Sequence, residues 1–121
     1  MLDAQMEQLY FFFSTYGGDR SEQGVAVARM RWSDREQPVG KVFKWQRGAW
    51  AEPGLGGYAT PVFAAAIDWH RADADAFWGP SIHWNRHLRR YVMLLNRTRD
   101  SEWTQEGVCV TYHRRLDDPN G

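Results

Sequence analysis

Hydrophobic positions along the chain fall in short runs of strand length. Leu9–Tyr16 is aromatic and apolar, and Gly17-Gly18-Asp19 ends it with turn chemistry. Gly24–Trp32 alternates Val25, Val27 and Arg29 against Ala26, Ala28 and Met30, so one face turns polar near its end. Tyr91–Asn96 is a continuous apolar run, as a strand buried on both faces would be. Gly107–His113 starts on Gly-Val and alternates. Lys41–Gln46 and Ser81–Asn85 predict two weaker strands. Between them, Ala51–Gly57 is rich in Gly and Pro and reads as a loop. Ala64–Phe77 has helix-forming alanines but holds a 3.6-residue period poorly, which predicts loop with room for one short helix.

Two parts of this pattern repeat. Tyr10-Phe11-Phe12-Phe13 precedes a polar turn and then Glu22-Gln23-Gly24-Val25-Ala26-Val27. Tyr91-Val92-Met93-Leu94 precedes a polar turn and then Gln105-Glu106-Gly107-Val108-Cys109-Val110. Each copy is a hydrophobic strand, a charged loop and a Gly-Val strand. Repeated antiparallel units with many aromatics predict an all-β, antiparallel chain, a partial β-propeller of about two blades. The first blade would cover about 9–47, a connecting loop 48–77, and the second blade about 78–116, all within one domain spanning 1–121. On this expectation the chain is a piece of a propeller that lacks an innermost strand at one end and an outermost strand at the other.

Composition narrows the classes of function. The 121 residues carry 15 Lys plus Arg and 15 Asp plus Glu, so net charge implies neither a basic nor an acidic partner, and with no nucleic-acid motif present no nucleic-acid partner is expected. The arginines at 86, 89, 90, 97 and 99 read as solvated turn residues. No apolar run approaches the ~18 residues of a membrane span. Met1–Glu7 is polar and acidic, without a secretory signal. One cysteine, Cys109, excludes an intrachain disulfide and a cysteine-based zinc site, and its alternation with valines reads as a packed thiol. Seven Trp, six Phe and five Tyr make the aromatic content high at 15%.

The segment Trp78-Gly79-Pro80-Ser81-Ile82-His83-Trp84-Asn85, followed by Arg90-Tyr91-Val92-Met93-Leu94-Leu95, resembles the inner-strand and second-strand signature of five-bladed propeller glycoside hydrolases, the arabinanase and xylosidase group. Their blades often read Trp-Ala-Pro-Asp-Val, a short turn, then an aromatic strand. Glu52-Pro53-Gly54-Leu55-Gly56-Gly57, Phe77–Asn85 and Gln105-Glu106-Gly107 look more closely like a set of uncharacterised bacterial proteins of this type. The resemblance implies a glycan substrate or ligand, no cofactor, and a parent protein that is secreted or periplasmic. Ser81 stands where the hydrolase pattern has Asp, a departure that sets a non-catalytic glycan-binding or scaffold propeller, or an inactive fragment, beside the hydrolase reading.

Glycoside hydrolysis needs two carboxyl groups flanking the bond. Glu106 and Glu22 occupy matching places before Gly-Val strands, either as paired carboxylates on adjacent blades or as a loop charge repeated with the blade. Glu52 precedes a Gly-rich loop that lets a ligand approach closely. Asp68 lies beside Trp69 and His70. These readings make Glu106, Glu52 and Asp68 the candidate catalytic acids. Alternation puts Ser81, His83 and Asn85 on one face of an inner strand, where they are candidate sugar contacts. Trp69 and Trp84 are the candidate stacking platforms, and the other tryptophans are expected to pack blade against blade. Asp73 and Asp75 lack the further oxygen ligands of a calcium loop, and His83 and His87 lack the helix and Glu of a zinc protease, so no metal is expected. Open blade faces predict a chain that self-associates or needs its remaining blades.

Overall fold

The computed structural model describes residues 1–100 and 102–119. It is all-β, and nine strands follow one another: β1 (Leu2–Asp3), β2 (Gln8–Tyr16), β3 (Gln23–Arg31), β4 (Phe43–Gln46), β5 (Ala49–Pro53), β6 (Phe63–Ala64), β7 (Ala76–Asn85), β8 (Arg90–Thr98) and β9 (Gly107–His113). Two 3-10 turns, Arg20–Glu22 and Trp32–Asp34, are the helical elements of the described residues. Every strand pairing is antiparallel. The first sheet runs β1-β2-β3-β4-β5, with β6 also on β3, and the second runs β7-β8-β9.

Strand β3 is the centre of the first sheet. Its residues from Gln23 to Ala28 are all buried, which suits a strand paired on both edges. Gly24 is required by a close approach: a Cβ there would lie 2.2 Å from the Phe63 carbonyl oxygen, and its φ is +145°. The matching Gly107 has open space around it. The two copies of the repeat also differ in register. Thr15 faces Gly24 in the first hairpin, whereas Arg97, not Asn96, faces Gly107 in the second. Relative to the sequence repeat this is a one-residue slip, and with a side-chain period of two it exchanges the faces.

The stretch 48–77 is not a connecting loop. It contains β5 and β6, and it shows no helix. Strand β5 forms because Arg47 (φ 48°) and Gly48 (φ 84°) make a two-residue turn with both φ positive, the geometry that matches strand twist. Trp45 and Trp50 then pack across the β4–β5 pair at 5.2 Å. A helix over 64–77 loses to a local competitor: Asp68 Oδ1 accepts the His70 backbone N–H at 2.9 Å, closing a turn. The second sheet therefore opens at Ala76, two residues before the expected blade start. The Trp78-Gly79-Pro80-Ser81 motif is a β-bulge, where the register shifts between Trp78 and Ser81.

The two sheets pack face to face. Tyr10, Phe12, Val25 and Val27 of the first meet Phe77, Ile82, Met93 and Leu95 of the second. Aromatic rings fill the seam as one run, Phe63–Phe77–Trp69–Trp103–Trp78, with centroids 4.5 to 5.5 Å apart. The high tryptophan content thus serves mainly to fill the space between sheets.

Candidate functional site

The sequence-predicted site residues do not converge. Trp69 is 3% exposed, with its ring against Tyr16, Phe77 and Trp103, so it packs the core and offers no platform to a sugar. Asp68 is a structural carboxylate: it accepts from the His70 backbone and from Gln23 Nε2 at 3.1 Å, and these bonds hold its pKa below the usual carboxylate range. Gln23, itself buried, returns the tie through its Oε1, which accepts the Trp69 backbone N–H at 2.8 Å. Glu106 sits at the β8–β9 turn in an ion pair with Arg99. Ser81 and His83 are exposed on β7, and Asn85 Oδ1 accepts the Leu88 N–H at 2.9 Å. Trp84 is 42% exposed and packs edge-on against Tyr91 of β8.

Glu52 is different, because the fold brings Glu22 to it. Both line one open cleft of about 510 Å³ with Gln46, Arg47, Tyr58 and Thr60. That volume falls in the range of small-ligand sites. Each wall has a physical cause. Glu22 closes the 3-10 turn that leads into β3. Gln46 and Arg47 stand at the β4–β5 turn. Thr60 locks the far wall to that turn: its hydroxyl accepts the Arg47 N–H at 2.8 Å and donates to Gln46 Oε1 at 3.2 Å. Its own N–H donates to the Trp45 carbonyl at 3.1 Å.

A buried lysine fixes the loop between these walls. Lys44 has 0% exposure, and its Nζ donates to the carbonyls of Pro53 at 2.7 Å, Gly54 at 3.0 Å and Gly56. The three donors of the ammonium are thereby all used. The clamp curls residues 53–57 back over β4, which places Tyr58 at the cleft mouth with 68% exposure. The result is two carboxylates, a guanidinium, an amide, a hydroxyl and an exposed aromatic ring around one opening.

Comparison with known proteins finds no matching family model, no matching curated protein and no matching solved structure. The likeness to propeller glycosidases therefore rests on the residues of the chain alone. Among the described residues no group of three His, Cys, Asp or Glu is arranged to hold a metal ion, and no helix is long and apolar enough to cross a membrane.

Arg47, Tyr58 and Thr60 escape a reading of the sequence. Arg47-Gly48 between two tryptophan-bearing stretches was the available signal, since X-Gly pairs mark two-residue hairpins. Nothing local distinguishes Tyr58, whose place depends on Lys44.

Proposed function

We propose that the chain is part of a propeller-type protein and binds a glycan in the cleft between Glu22 and Glu52. The single observation that carries this reading is that cleft: two carboxylates and an exposed tyrosine share one polar opening. Carboxylates and the Gln46 amide accept from sugar hydroxyls, Arg47 donates, and the Tyr58 ring offers an apolar face to the C–H side of a pyranose. Two successive antiparallel sheets, β1-β2-β3-β4-β5 with β6 on β3 and then β7-β8-β9, support the blade reading by their meander order, which propeller blades share, and not by strand number, since a blade has four strands.

A second reading, hydrolysis, is favoured by the pairing of Glu22 with Glu52, because cleavage of a glycosidic bond needs an acid and a base or nucleophile on either side. A panel of oligosaccharides separates the two. Binding measured by calorimetry without reducing-sugar release supports the binding protein. Release that Glu52→Gln abolishes, with binding retained, supports the hydrolase. Binding that survives both Tyr58→Ala and Glu52→Gln, or no binding at all, overturns the cleft as the glycan site.

A further inference from the structure

The far end of β3 carries a second polar site that the glycan cleft does not use. Arg29 and Arg31 are two residues apart on one strand, so they share a face. Across the sheet Arg29 lies between Tyr10 and Phe43, and Arg31 lies beside Gln8. A cleft of about 320 Å³ opens there, lined by both arginines with Gln8, Lys41, Asp34 and Trp50.

The charges in this cleft are not matched. Lys41 is held by Asp34 at 3.3 Å. Neither Arg29 nor Arg31 forms an ion pair with a carboxylate among the described residues. Arg29 is also held in a defined plane, with its guanidinium carbon 4.3 Å from the Trp50 ring centroid. Stacking preorganises the guanidinium for hydrogen bonds in its own plane, and the Tyr10 hydroxyl is one neighbour of Arg29.

Trp50 forms one wall of the cleft and carries the stacked Arg29. Arg29, Arg31 and Lys41 face the single carboxylate of Asp34 there, which leaves the cleft with an excess of positive charge.

We propose that the cleft at the end of β3 binds a small oxyanion, the carboxylate or phosphate group of a ligand, with Arg29 and Arg31 as the charged fork and the Trp50 ring as the platform that holds Arg29. The shared chemistry is a planar or tetrahedral group presenting two oxygens to the guanidinium edge. This site stands apart from the glycan cleft, and the two proposals fail independently.

The test follows the Trp50 indole N–H resonance of the full chain in ¹H–¹⁵N spectra, assigned by its absence in Trp50→Phe. Potassium glucuronate and sodium phosphate are titrated separately at constant ionic strength. The expected result is a saturable shift with at least one of them, with Kd of about a millimolar. A response to glucuronate alone identifies the carboxylate, and a response to phosphate alone identifies the phosphate. Arg29→Gln and Arg31→Gln each weaken the response by about tenfold, while Arg47→Gln and Tyr58→Ala, in the other cleft, leave it unchanged. Arg29→Lys keeps the charge but loses the fork and gives a weakened response with an undisturbed spectrum elsewhere, which separates recognition from misfolding. No saturable shift with either anion overturns the proposal. So does a shift that Arg29→Gln and Arg31→Gln leave intact, or one that Arg47→Gln weakens equally.

Discussion

Replacing Lys44 by Met keeps the length and apolar stem of the side chain and removes only the ammonium. Three carbonyls, of Pro53, Gly54 and Gly56, then lose their donor. A hydrogen bond from a charged group contributes ~1.5–3 kcal/mol, but the three are not additive here. Gly54 and Gly56 lie in an exposed loop whose carbonyls regain water once released. The ammonium is also buried without a carboxylate among the described residues, and Met avoids that desolvation cost. The net expectation is a loss of ~1–3 kcal/mol. With a urea slope of ~1–3 kcal/mol per molar, the midpoint of unfolding falls by about one molar. Because the clamp positions residues 53–57, limited proteolysis should also open a new cut in that loop under native conditions. An equilibrium urea titration and a protease time course read the two effects. A change within ~0.5 kcal/mol and an unchanged digest would refute the clamp.

Other expectations follow from particular contacts. Gly24→Ala drives a Cβ into the Phe63 carbonyl, and should cost ~3 kcal/mol or more and detach β6, read by chemical denaturation. Asp75 accepts two bonds from Arg97 at 2.8 and 2.6 Å, and Arg97 holds its pKa below the usual carboxylate value. Its contribution to stability is present above the unfolded carboxylate pKa and lost as pH falls through the lower folded value, so Asp75→Asn should flatten the acid limb of a stability-versus-pH curve. The outer face of the second sheet exposes Leu94, Val108, Val110 and Tyr112 beside the edge of β9, which has no partner strand among the described residues. The chain should therefore self-associate in light scattering as concentration rises, and Val110→Lys should shift it toward monomer. If Val110→Lys associates as the parent does, that face is not the contact.

Antiparallel strands with aromatic packing were legible because alternation and turn residues are local signals. Leu9–Tyr16 and Gly107–His113 carry both signals and lie where the pattern puts them. Strand β5 was not legible: Ala49–Pro53 is short, ends in Pro-Gly, and is held by Trp45, which the pattern does not pair with Trp50. The register slip between the two hairpins was equally hidden, because Gly24 answers to the β6 backbone and Gly107 answers to nothing nearby. The candidate site was half legible. Glu52 before its glycine loop and Glu22 before Gly-Val were readable as acids, but their meeting depends on where the Lys44 clamp and the Thr60 lock carry residues 53–60. Asp68 and Trp69 looked like a sugar-binding pair because they are adjacent in sequence, yet Gln23, 46 positions before Trp69, draws both into the framework.

The central claim, a glycan site between Glu22 and Glu52, is tested most directly by mapping amide shifts on titration with the oligosaccharide that binds in the panel. The account predicts saturable changes confined to residues 21–22, 46–47, 52 and 58–60, all reduced together by Tyr58→Ala. Changes centred instead on Ser81 and His83 of the second sheet, or spread without saturation, would contradict it.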